Sequence, residues 1–183
     1  YVVFEVKPSE GDIAAANQAL VDVYDEFAAT DNMRSFLLAN SDRAYDQHWY
    51  KAGELTSVAK VVDDYVFGDN ASVSEVLTNG NTFYAVRVME EALVPEEVQV
   101  KYVAENVENV DSLLNLAEPQ WISQVAGYED VMTAKKGEKV TVNGLVFQVL
   151  DTKDPVARKK VAILEKDAVA GKETVNGFYA KAN

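Results

Sequence analysis

The stretch VSEVLTNGNTFYAVRV, residues 73–88, decides the fold class. β-Branched and aromatic residues stand on both sides of Asn79-Gly80-Asn81, which predicts strands over 73–77 and 83–88 around a tight antiparallel turn. A second stretch of the same kind, GEKVTVNGLVFQV, occupies residues 137–149. Aligned, Asp63-Asp64 through Asn79-Gly80, Phe83 and Tyr84 lie beside Glu129-Asp130 through Asn143-Gly144, Val146 and Phe147. Each copy reads as an acidic pair, a helix-like segment, a strand, an Asn-Gly turn and an apolar strand, and such a shared order marks a repeated unit.

Working outward, residues 1–7 are predicted to form a strand that ends at Lys7-Pro8. Ser9 followed by Asp12 has the form of a helix cap, and Ile13, Ala16, Leu20, Val23, Tyr24 and Phe27 recur at helical spacing. Asp31 is placed to cap a second, shorter helix with Phe36 and Leu37. Residues 41–53 are polar and irregular apart from Trp49 and Tyr50, and 58–66 reads as another helix. Beyond Pro95 and Glu96-Glu97 the order recurs: a strand over 98–103, a helix over 110–117 ended by Pro119, and Trp121 where Trp49 stood. Residues 160–164, after Pro155, read as a further strand, and 173–182 as the start of a helix. The expected organisation is an α+β chain divided at 1–95, 96–156 and 157–183. Each of the first two units holds a small antiparallel sheet flanked by helices, and the last is the opening of a third unit.

Composition narrows the function. Of 183 residues, 30 are acidic and 17 basic, a net charge of -13, which opposes binding to nucleic-acid phosphates or to an anionic bilayer. The chain has no cysteine, so it holds no disulfide, no thiolate zinc site and no thiol nucleophile. A single histidine, His48, rules out a multi-histidine metal centre. Adjacent carboxylates such as Asp63-Asp64 read as solvated surface, and no calcium-loop pattern accompanies them. No metal and no cofactor are expected. Because the chain opens on Tyr1 inside an apolar run, it reads as a piece of a longer protein.

The order of strand, long helix, short helix, aromatic loop, helix and closing hairpin resembles the parvulin family of peptidyl-prolyl isomerases. The family's "GGDLGWF" segment is echoed by Asp46-Gln47-His48-Trp49-Tyr50. Its "KPGEVS" turn is echoed by Ala71-Ser72-Val73-Ser74 and more fully by Lys135-Lys136-Gly137-Glu138-Lys139-Val140. Over nearly its full length the chain is most similar to the degenerate parvulin-like units in the SurA- and PpiD-like periplasmic folding proteins of Bacteroidetes. Active parvulins place one histidine in the first strand and one in the last. Here Tyr1 or Tyr102 falls at the first position and Tyr84 or Phe147 at the last, while His48 aligns with neither.

Prolyl isomerisation breaks no covalent bond; it needs a site that binds the twisted amide better than the planar forms. The resemblance puts Leu55 at the family's groove methionine and Tyr65 or Phe67 near its groove phenylalanine. Trp49 and Tyr50 join them as candidate peptide contacts, with Tyr84 the one candidate catalytic group. The second unit offers only Met132 and Trp121 for a comparable floor. The resulting expectation is a periplasm-facing segment that binds unfolded or extended polypeptide clients, held to the inner membrane only by an anchor preceding Tyr1. A working isomerase and a structural spacer are the alternatives. Client binding implies an exposed apolar patch around Trp49, Leu55 and Phe67, and isomerase activity requires Tyr84 to line a groove.

Overall fold

The computed structural model describes residues 6–123 and 127–171. Most of the strand expected at 1–7, and all of the helix expected at 173–182, lie outside them. The chain is α+β, with five helices and five strands among the described residues. Helix α1 (Glu10–Ala29) is followed by α2 (Met33–Asn40), a single 3-10 turn at Glu54–Ser57 and α3 (Lys60–Val66). Strands β1 (Leu77–Asn79) and β2 (Thr82–Ala104) follow, then α4 (Val110–Leu116), β3 (Gln120–Ser123), α5 (Glu129–Thr133), β4 (Lys139–Val142) and β5 (Leu145–Asp167). The strands run in the order β1-β2-β5-β4, with β3 paired to β2.

Both hairpins form where the Asn-Gly pairs stand, but they turn differently. In the second, Val142 pairs with Leu145 and the two turn residues Asn143 and Gly144 have φ 50 and 76, the left-handed pair that suits the twist of the flanking strands. In the first, Asn79 pairs with Thr82, so the turn is Gly80-Asn81 and only Gly80 has positive φ, at 60. Strand β1 is correspondingly shorter than expected. Val73 touches β2 only by an isolated bridge to Arg87, while Ser74 Oγ accepts the Val86 N–H at 2.8 Å.

The prolines do not divide the chain where their chemistry suggested. Pro95 lies inside β2 and Pro155 inside β5, so the strands expected at 98–103 and 160–164 are the far ends of two 23-residue strands. Proline's fixed φ is compatible with extended backbone and removes only one donor. Asp154, just before Pro155, absorbs the disruption in the left-handed conformation used by β-bulges, at φ 50. The compact units are accordingly interleaved where the sequence reading is consecutive. Among the described residues, one consists of those up to Asp46, Ala52–Met89 and those from Val161; the other of Gln47–Lys51 and Glu90–Lys160. Residues 161–167, expected to open a third unit, thus belong to the first.

In the first unit Ser9 and Asp12 form the anticipated capping box: Asp12 N–H donates to Ser9 Oγ at 3.1 Å and Ser9 N–H to Asp12 Oδ2 at 2.9 Å. Asn32, not Asp31, caps α2 by accepting the Ser35 N–H. Leu20 and Phe27 of α1 and Leu37 of α2 pack on Phe83, Ala85, Ala162 and Leu164, each large side chain contributing about 1.5–3 kcal/mol. No basic residue occupies the last turn of α1. Arg87 of β2 does that work, its Nη1 donating to the Thr30 carbonyl at 2.9 Å and to that of Phe27 at 3.3 Å. The end of β5 is fastened by Glu165 N–H to Ser41 Oγ (3.1 Å), Asp42 N–H to the Glu165 carbonyl (2.9 Å) and Asp167 N–H to Asp42 Oδ2 (2.9 Å). In the second unit Val94, Val98 and Val100 of β2 pack with Phe147 and Val149 of β5, Val131 and Met132 of α5, and Trp49.

Two outcomes follow from this arrangement. Asn143→Ala, which removes the short polar side chain that lets asparagine occupy left-handed backbone, should cost roughly 1 kcal/mol, read from the midpoint of urea denaturation. Burial and the nearby Asp167 and Asp42 hold the Glu165 carboxyl above the usual carboxylate range, partly opposed by Arg43. A carboxyl raised in this way binds its proton more tightly when folded, so its charged form costs stability at neutral pH and the cost disappears in acid. Glu165→Gln should therefore raise the melting temperature at pH 7, with the gain shrinking to nothing as pH falls through the carboxylate range.

Candidate functional site

The aromatic loop is the part of the second unit that comes from farthest away in sequence. Tyr50 makes an antiparallel bridge to Lys159 of β5, its N–H donating at 3.0 Å and its carbonyl accepting at 2.9 Å. One residue before that bridge, the Trp49 carbonyl accepts from Arg158 Nη1 at 2.7 Å. Arg158 is 1% exposed, and its Nη2 donates to Glu96 Oε2 at 3.1 Å, while Lys51 Nζ reaches Glu96 Oε1 at 2.8 Å. The Lys51 hydrogen bond, aided by the Arg158 charge and opposed by burial, holds the Glu96 carboxyl below the usual carboxylate range. The Trp49 ring is 3% exposed and carries the Lys160 ammonium 4.8 Å from its centroid. His48 meets Tyr50 edge-on at 4.8 Å, with Nδ1 3.9 Å from Glu129 Oε1. This cluster anchors a loop.

The residues expected to contact peptide are divided between the two units. Trp49 and Tyr50 belong to the second unit; Leu55, Tyr65 and Phe67 belong to the first. Leu55 is fully buried beneath the 3-10 turn, which Asp63 holds by accepting the Gly53 N–H at 2.9 Å and the Leu55 N–H at 3.1 Å. That makes Asp63 a buried structural group and not the solvated residue its pairing with Asp64 implied; Asp64 is exposed and pairs with Lys60. Tyr65 is half-buried and its hydroxyl donates to the carbonyls of Ala71 and Val73, both at 2.8 Å, pinning the segment before β1. Phe67 is half-buried at the end of α3. Trp49 and Leu55, expected at an exposed apolar patch with Phe67, are each buried within their own unit.

Tyr84 is 4% exposed, pairs with Leu77 across the first hairpin, and has its hydroxyl pKa raised chiefly by burial. It lines neither of the described cavities. It has no surface for a peptide.

A concave surface does exist, built from other residues. Strand β3 pairs with β2 so that Val98 faces Ile122 and Val100 faces Gln120. Alternation then puts Gln120 and Ile122 on the sheet face that also carries Tyr102, with Trp121 on the opposite face. Tyr102, Gln120, Ile122, Leu145 and Phe147, with Tyr128 from the residue before α5, enclose a cavity of about 220 Å³. Phe147, 4% exposed, is its floor. Tyr102 leans on that ring at 5.4 Å and Tyr128 meets it edge-on at 5.6 Å. Tyr102 remains 38% exposed at the rim. On the other face Trp121 is 37% exposed beneath the Lys153 ammonium, 3.8 Å from its centroid. In the sequence Tyr102 stands out only as a position where a histidine is missing, Phe147 as that and as the repeat partner of Tyr84, and Tyr128 carries no signal beyond its aromatic character.

Among the described residues no group of three or more acidic or histidine side chains is placed to hold a metal ion. No helix among them is long and apolar enough to cross a membrane. No family model, no curated protein and no solved structure matches the chain. Fold and groove together define an α+β chain with an aromatic cavity beside an edge strand.

Glu96 is the group on which the loop anchor is most easily tested. A carboxyl lowered on folding contributes stability above its unfolded pKa and loses it as pH falls through its folded pKa. Glu96→Gln leaves Arg158 buried with a weaker partner. It should cost about 2 kcal/mol at pH 7, with the difference from the native chain closing below pH ~4 in urea titrations at several pH values.

Proposed function

We propose that this chain is the client-binding segment of a periplasm-facing folding factor and takes up unfolded or extended polypeptide without an efficient isomerase site of its own. The observation that carries this reading is the aromatic cavity lying directly beside β3. Among the described residues β3 pairs only with β2, so its outer edge presents backbone donors and acceptors to an added strand. A segment joining that edge points alternate side chains to the face of Gln120 and Ile122, where the cavity accepts a bulky apolar group over Phe147. Backbone pairing reads any sequence, and the cavity adds a preference for large apolar residues, the combination suited to varied unfolded clients. Kinship with parvulins, the periplasmic compartment and an anchor preceding Tyr1 come from the resemblance of the motifs. The burial of Tyr84 argues against turnover.

The test is an NMR exchange experiment on an unstructured proline-containing peptide with aromatic residues, at substoichiometric protein. Broadened or shifted peptide resonances without cis–trans exchange peaks are expected. Tyr102→Ser, at the exposed rim, should weaken the binding by about fivefold to tenfold, in line with the loss of one aromatic contact. Exchange peaks at catalytic rates would show an isomerase instead, and an unaltered peptide spectrum would leave only the spacer.

A further inference from the structure

Asparagine followed by glycine is the pair most open to spontaneous deamidation, because no side chain shields the glycine nitrogen. The chain carries it at Asn79-Gly80, at Asn143-Gly144 and at Asn176-Gly177, the last outside the described residues. We infer that Asn79 is a self-modification site that turns into isoaspartate and loosens the first hairpin, while the fold protects Asn143.

The reaction needs no partner but water. The Gly80 backbone nitrogen, giving up its proton to solvent, attacks Cγ of Asn79. The Cγ–Nδ2 bond breaks and the nitrogen leaves as ammonia with a proton from water, closing a five-membered succinimide. A second water opens that ring at either carbonyl. Opening at the former main-chain carbonyl gives isoaspartate, whose main chain runs through Cβ and Cγ and whose old backbone carboxyl is a free carboxylate. Opening at the other carbonyl gives aspartate.

Both described pairs are exposed to solvent, and they differ in how far the backbone must turn. Ring closure needs the next nitrogen on the same side of the Cα–C bond as Cβ. In the left-handed conformation of Asn143, at φ 50, that nitrogen lies opposite Cβ, so the rotation is the longest. Asn79 is the last residue of β1, and its extended backbone starts nearer. The tethers differ as well. Asn143 Nδ2, the atom that must depart, donates to the Gly127 carbonyl at 3.4 Å, and the Gly144 carbonyl accepts the Glu105 N–H at 2.8 Å. In the first hairpin the tethers begin one residue beyond the reacting pair, with Ala168 N–H donating to the Asn81 carbonyl at 2.9 Å and Thr82 Oγ1 to Asp167 Oδ1 at 2.6 Å. Strand β1 has only three residues, so its end opens by local fraying.

The product suits its place less well than the amide. Asn79 pairs with Thr82, whose hydroxyl holds Asp167, and Asp167 already stands with Asp42 and Glu165. Isoaspartate adds a like charge there, and its extra main-chain atom disturbs the register of the three β1 pairs. The site belongs to the first unit, and its chemistry is independent of client binding.

The experiment keeps the folded 183-residue chain in warm, mildly alkaline buffer beside a sample in concentrated guanidinium chloride, and follows both by tryptic mapping with mass spectrometry. The two described sites fall on separate peptides, 61–87 and 140–153, and Asn176 falls on a third. In denaturant Asn79 and Asn143 are expected to convert at rates within about threefold of each other, and in the folded chain Asn79 at least about tenfold faster than Asn143. Modified chains, separated by anion exchange, should unfold at lower urea than unmodified ones. Equal rates in the folded chain, a faster Asn143, or an Asn79 that stays intact while its unfolded counterpart converts would overturn the inference. An Asn79 preference equally large in denaturant would also overturn it, by tracing the difference to sequence alone, and an unchanged urea midpoint would overturn the loosening.

Discussion

A buried guanidinium sets the terms for half of this molecule. Arg158 has almost no contact with solvent, and a charge in that position is tolerable only if its donors are met. Two of them are met by the Trp49 carbonyl and the Glu96 carboxylate, from segments about 109 and 62 residues away in sequence. The loop from Gln47 to Lys51 is therefore bound to β5 by three adjacent devices: the Arg158 bond, the Tyr50–Lys159 bridge, and the seating of the Trp49 ring under Lys160. The aromatic residues of this loop invite a reading as a binding surface. They are the means by which a distant piece of chain is built into a hydrophobic core.

The groove beside β3 has the opposite character. Its residues come from three strands and the approach to α5, and none of them neutralises a buried charge. Phe147 is held by the core below it, and the two tyrosines lean on Phe147 while keeping part of their surface exposed. A rigid floor with polar-tipped aromatic walls suits recognition of varied apolar side chains, since tyrosine offers contact area at a small entropic cost.

Much of the local structure was legible in the sequence, because it rests on interactions between near neighbours. Ser9 and Asp12 announce a capping box, helical spacing from Ile13 to Phe27 announces α1, and Asn143-Gly144 sits in the left-handed turn it favours. The failures share a physical cause. Pro95 and Pro155 were read as boundaries because proline removes a donor, yet each sits in extended backbone that tolerates that loss. The turn expected at Asn79-Gly80-Asn81 does form, but its two central residues are Gly80-Asn81 and not the Asn-Gly pair. Arg158 in the run Arg-Lys-Lys looks like any solvated charge, and Asp63 like half of a surface acidic pair. Only long-range packing decides which charge is buried, and that information is not local. The candidate site suffered most, since a resemblance directs attention to Trp49, Leu55 and Tyr84, positions this chain has given over to its core.

Strands β2 and β5 each start at a hairpin in one unit and end as part of the other. A ribosome delivers the chain in order, so the first unit cannot be finished when its own hairpin has emerged. Its core still lacks Ala162 and Leu164, which arrive some eighty residues after Phe83. Until then the helices and first hairpin must persist with apolar surface uncovered. Contacts of such long sequence separation also slow folding, because the loop they close is entropically costly. A protein whose proposed role is to shelter unfinished chains is itself, during its own synthesis, an unfinished chain in need of shelter.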